Sequence, residues 1–124
     1  MPMKKDLKLD QYDISPYAYR ELHNFCLQYP EKKRRLRELE SPFGGPRGSD
    51  PTAGRATRAA TLALIEKTAR QAAGAQAPYL VEAVTEDMPW HYLRMRKGLP
   101  LGEKSFNGIR RQFYYLLAKE KRIV

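Results

Sequence analysis

The sequence predicts an all-α protein made of an N-terminal helical hairpin and a C-terminal helix-turn-helix bundle. Three observations carry that prediction. Apolar residues recur at spacings of three and four between residues 14 and 40 and again from 55 to 124, the mark of helices that bury one face. No segment alternates convincingly with period two, as a half-buried strand would. Most prolines and glycines stand where helices begin and end, Gly108 in the last helix being an exception.

Residues 1–13 are polar and are expected to be frayed. In ISPYAYRELHNFCLQYP, Ser15 can cap a helix and Pro16 suits its first position, where a missing N–H costs nothing. Leu22, Phe25, Cys26 and Tyr29 follow at helical spacing and are expected in a core. Pro30 ends that helix or starts the next, EKKRRLREL, a basic surface anchored by Leu36 and Leu39. Residues 1–40 thus form an N-terminal helical segment.

SPFGGPRGSDPTAG, residues 41–54, is dense in glycine and proline and predicts a linker. The helical domain expected over 55–124 opens with RATRAATLALIEKTARQAA, where Leu62, Ile65, Ala69 and Ala72 share one side and Gly74 supplies a C-terminal cap. APYLVEAVTED predicts a shorter helix packed through Tyr79, Leu80, Ala83 and Val84. DMPWHYLRMRKG predicts another, capped by Asp87 with Pro89 early. Trp90 and Tyr92 are expected to fix the angle between helices rather than to stack on bases. After the turn GLPLG, residues 98–102, comes the last helix, long and basic.

Composition narrows the partner. The 124 residues carry 23 Lys+Arg against 14 Asp+Glu, a formal charge of +9, with 42% hydrophobic and 30% charged residues. Such a balance suits one soluble domain and a polyanionic partner, because Lys and Arg displace counterions condensed on nucleic acid. A single cysteine, Cys26, excludes an internal disulfide. The start lacks the apolar stretch of a secretion signal, and no run approaches a membrane span, so a cytoplasmic location without membrane contact is expected.

Charge concentrates at the end. Residues 88–124 hold nine cations and two acids, +7 of the +9 total. In KSFNGIRRQFYYLLAKEKR, Phe106, Ile109, Phe113, Leu116 and Leu117 form one stripe that must be buried. Lys104, Asn107, Arg111, Tyr115 and Arg122 lie opposite, flanked by Tyr114. Arginine can fork onto guanine or phosphate, asparagine can pair with adenine, and tyrosine can contact sugar or phosphate, so Tyr115 is among the expected DNA-binding residues. Gly108 leaves room for close backbone approach. A helix, a short helix, a turn and a long basic helix is the layout of a helix-turn-helix whose second helix enters the major groove. Arg111 and Asn107 are therefore expected to contact bases. Lys104, Arg110, Tyr114 and Arg122 are expected to hold phosphates or border the contact, with Arg110 the one lying toward the packed stripe.

Two stretches, ISPYAYRELHNFCLQYPEKKRRL and VTEDMPWHYL…SFNGIRRQFYYLLAKEKR, resemble a group of small phage and prophage proteins of Gram-positive bacteria. That group looks related to late-gene transcriptional regulators of the RinA and ArpU type, whose C-terminal part resembles the promoter-reading region of sigma factors. The resemblance implies a recognition helix from Ser105 to Lys121, supported by residues 88–95, with KGLPLGEKSFNG a longer turn than the group's. It implies double-stranded DNA as partner, with the N-terminal hairpin serving a homodimer or RNA polymerase. Two other classes fit the same features: a small terminase-like packaging adaptor, and a protein-interaction module with a basic face.

Enzyme chemistry finds little support. His23 and His91 lie far apart on amphipathic helices and read as packing residues. No paired Cys/His spacing suggests zinc, and GGPRGSDP lacks the lysine of a phosphate loop. Glu82 and Glu86 read as a solvated face, and Cys26 as a small core residue. Neither a cofactor nor a catalytic activity is expected.

Overall fold

The computed structural model describes residues 9–40 and 51–122. Among these, six α-helices and two 3₁₀ turns occur, and no strand. The helices are α1 (Pro16–Leu27), α2 (Tyr29–Glu40), α3 (Pro51–Ala73), α4 (Ala77–Glu86), α5 (Trp90–Arg96) and α6 (Glu103–Glu120). The turns are Asp10–Tyr12 and Gly74–Gln76. Among the described residues no helix is long and apolar enough to cross a membrane.

Local chemistry explains most boundaries. Ser15 Oγ accepts from the Ala18 amide at 3.1 Å, with Pro16 at the first position of α1. A break at Gln28 separates α1 from α2, whose first turn takes Pro30. α3 ends against Gly74, whose φ of 55° is the left-handed conformation that closes a helix. α4 ends the same way with a non-glycine residue. Asp87 has φ 58°, a region that aspartate tolerates better than most.

Three expectations change here. Residues 51–54, read as linker, belong to the first turn of α3, since proline is favoured at a helix start; residues 41–50 lie outside the described residues. Asp87 does not cap α5. Its backbone closes α4 instead, and Pro89 takes the cap position. Nor are residues 9–13 frayed. Leu9 and Ile14 are buried, because the Asp10–Tyr12 turn folds their side chains onto the bundle.

α3 and α6 form the spine. One core joins Leu22 and Cys26 of α1, Ile65 and Ala69 of α3, Leu80 and Val84 of α4, and Phe113 and Leu117 of α6. Helices from both sides of the 41–50 segment therefore bury one another's apolar stripes. A second, smaller core gathers Ala83 of α4, Leu93 of α5, Leu99 of the turn and Phe106 of α6. It is laced by polar bonds that hold the turn. The Trp90 indole donates to the Leu101 carbonyl at 2.8 Å, and Arg94 Nη1 donates to the Leu99 carbonyl at 2.9 Å. Trp90 packs as expected, whereas Tyr92 is 40% exposed. α5 and the turn thereby set where α6 begins.

Candidate nucleic-acid interface

α6 carries most of the residues expected to contact nucleic acid, and its surroundings decide which of them can reach a partner. It packs on α3, α1, α4 and α5, so its outer face is narrower than its sequence stripe. Glu103, Lys104 and Ser105 are exposed at its start, and Asn107, Gly108 and Arg111 are half-buried. A Cβ placed on Gly108 would meet no atom of another element within 4 Å among the described residues. Lys104, Gly108 and Arg111 follow one another at helical spacings of four and three, so they form one strip along the side of α6 that is open at Gly108.

Arg110 lies behind that strip. It is half-buried, its Nε is shielded from solvent without a hydrogen-bond partner, and its Nη1 donates to Asn107 Oδ1 at 3.2 Å. That bond occupies one acceptor site of the amide and orients it, leaving the Nδ2 hydrogens to donate elsewhere. Arg110 acts on Asn107 in this geometry.

Packing and position change three of the expected contacts. Tyr114 has no exposed surface, so it cannot border a phosphate. Its ring meets Tyr19 and Phe113 edge-on, at 5.1 and 5.2 Å between centroids, and its hydroxyl lies 3.2 Å from His23 Nδ1. The physical reason is position: next to Phe113, it falls between the faces of α6 that α1 and α3 cover. Burial, ahead of neighbouring charges, pushes its phenol well above the usual range. Tyr115 is half-buried beneath Tyr12, whose ring stacks on it at 4.6 Å while the Tyr12 hydroxyl donates to Gln112 Oε1. The N-terminal segment thus covers the outer face of α6 at Gln112 and Tyr115. Arg122 is exposed but lies beyond the end of the helix, which is itself about 24 Å along the axis from Lys104 at 1.5 Å per residue. It cannot share a base-reading patch with Lys104.

What remains is compact. Lys104, Asn107 and Arg111 lie around Gly108 in the first half of α6, and α5 with the residue that follows it adds the exposed Arg94, Arg96 and Lys97. The α5 cations had entered the sequence reading only through regional charge. Their exposure follows from the small core, which turns Leu93 inward and packs Trp90 against it, leaving the polar side of α5 outward. A further arrangement had no sequence signal. His23 Nε2 lies 3.4 Å from Asp87 Oδ1, and with Tyr114 on its other nitrogen it ties α1, the end of α4 and α6 together. A fully enclosed phenol has no substrate access, so this chain of polar groups braces the fold. Cys26 is enclosed as well, and burial pushes its thiol far above the usual range, which makes it inert. Among the described residues no three His, Cys, Asp or Glu side chains converge as metal ligands.

Comparison with known proteins adds no assignment: no family model, no curated protein and no solved structure matches the chain.

Proposed function

We propose that this protein binds double-stranded DNA as a phage-type transcriptional regulator of late genes, presenting the first half of α6 to the major groove. One observation carries the reading. The strip Lys104–Gly108–Arg111, with Asn107 beside it, is left open at Gly108 in a helix that packs on α1, α3, α4 and α5. A glycine inside a helix costs about 1 kcal/mol relative to alanine. Close approach of another backbone or a nucleic-acid surface gives that cost a use.

Each part has a role in this arrangement. Arg111 donates to a base edge or phosphate, and Asn107, steadied by Arg110, presents its amide hydrogens to a base. Lys104 and the α5 cations neutralise phosphates on either side. The α4–α5–α6 core keeps α5 and α6 in fixed relation, as a helix-turn-helix requires.

The test is affinity for random and for prophage-promoter duplexes over a salt series. A late-gene regulator shows steep salt dependence and a preferred sequence. Steep dependence without preference, together with a ring-sized oligomer, assigns the protein to packaging adaptors instead. Absence of binding at low salt refutes both.

A further inference from the structure

A cleft of about 620 Å³ opens between α2, α3 and α4, within the size range of small-molecule sites. Helical spacing builds its walls. Tyr29, Lys33 and Arg37 form a strip of α2 at steps of four, and Glu66 and Arg70 form a matching pair on α3. Pro78 and Val81 of α4 add an apolar side. The base is fixed, because the buried Tyr29 donates its hydroxyl to Glu66 Oε2 at 2.6 Å.

The charges in the cleft are unequally committed. Glu82 is paired with Lys97 at 3.7 Å, Glu66 accepts the hydrogen bond of the Tyr29 hydroxyl, and the exposed Glu86 is a third carboxylate in the lining, so three acids face Lys33, Arg37 and Arg70. Lys33 sits 5.6 Å above the Tyr29 ring. Arg37 and Arg70 have no ion-pair partner among the described residues. Two guanidinium groups lining a partly apolar cleft match an oxyanion attached to an apolar body, since the planar fork donates two parallel bonds to phosphate or carboxylate.

We propose that this cleft is a binding site for a small organic anion, held at its phosphate or carboxylate by Arg37 and Arg70 and along its apolar body by Pro78 and Val81. The site shares no residue with the α6 strip, so it stands or falls independently of DNA binding.

The test uses the full chain, isotopically labelled, titrated with phenyl phosphate, benzoate and benzylamine while backbone amide shifts are followed. Saturable shifts gathered around Tyr29, Arg70 and Val81 are expected with one or both anions, and none with benzylamine. The tighter anion identifies the head group. Joint replacement Arg37→Gln and Arg70→Gln weakens that anion about tenfold or more, as loss of charged hydrogen bonds implies, whereas Gly108→Glu leaves it unchanged. The proposal is overturned if no anion gives saturable shifts, if shifts scatter over other surface cations, if benzylamine binds as well, or if the double variant binds like the parent. No DNA enters the measurement, so neither result bears on the α6 reading.

Discussion

Gly108 offers a perturbation whose sign differs between the free protein and its complex. In the free protein no other element among the described residues lies within 4 Å of an added Cβ, so Gly108→Ala should gain the helix propensity of alanine without a clash. That gain is about 1 kcal/mol, equivalent to a rise in Tm of roughly 3–6 °C for a chain of this size. Gly108→Glu should fold equally well, because the new carboxylate lies one turn from Lys104 and Arg111 and can pair with either. Against DNA the same carboxylate faces phosphate and neutralises the cations that should contact it. Like-charge opposition across an interface costs several kcal/mol, so affinity should fall by more than about tenfold. Thermal unfolding and fluorescence anisotropy with a labelled duplex measure the two effects separately. The reasoning is refuted if Gly108→Ala lowers Tm, because the site is then covered, or if Gly108→Glu binds DNA like the parent.

Other outcomes follow from the same geometry. Tyr114→Phe removes the bond to His23 and should cost about 0.5–1.5 kcal/mol in urea unfolding; DNA affinity should stay within about twofold of the parent, whereas a phosphate-contacting tyrosine would lose more. Cys26 should resist a thiol reagent in the native state and react at once in denaturant, since burial disfavours its thiolate; rapid native labelling contradicts the packing. Stability should fall at alkaline pH. Burial raises the Tyr114 phenol, and burial followed by the Glu66 bond raises that of Tyr29. Above about pH 10 the unfolded chain releases phenolic protons that the native state retains, so the slope of unfolding free energy with pH is negative there, while below it these groups contribute no slope. Chemical unfolding at a series of pH values checks this, and a Tyr29→Phe/Tyr114→Phe variant should lose part of the alkaline decline.

The local features were legible because their causes are local. Ser15–Pro16, Gly74 and the apolar stripes of α1, α3 and α4 declare themselves within a few residues, and each lies where spacing places it. The outer face of α6 was only half legible. A helical wheel separates apolar from polar residues but cannot count how many elements surround the helix. Tyr12 covers Tyr115 and bonds Gln112 from a hundred residues away, and His23 takes up Tyr114 across a separation of 91. Tyrosine conceals such partnerships well, since the same side chain serves as core ring or surface donor. Asp87 misled for a related reason. Aspartate favours both helix caps and left-handed turns, and only the chain geometry between α4 and α5 selects the second.

The claim that the opening half of α6 meets DNA is tested most directly by the salt dependence of duplex affinity for the parent and for Arg111→Ala. Contact through Lys104, Arg111 and at least one α5 cation predicts a log–log slope of about −2.7 or steeper, at roughly −0.9 per neutralised phosphate. Arg111→Ala should reduce that slope by about one and weaken binding at every salt concentration. Identical slopes and affinities for the two proteins would contradict the account.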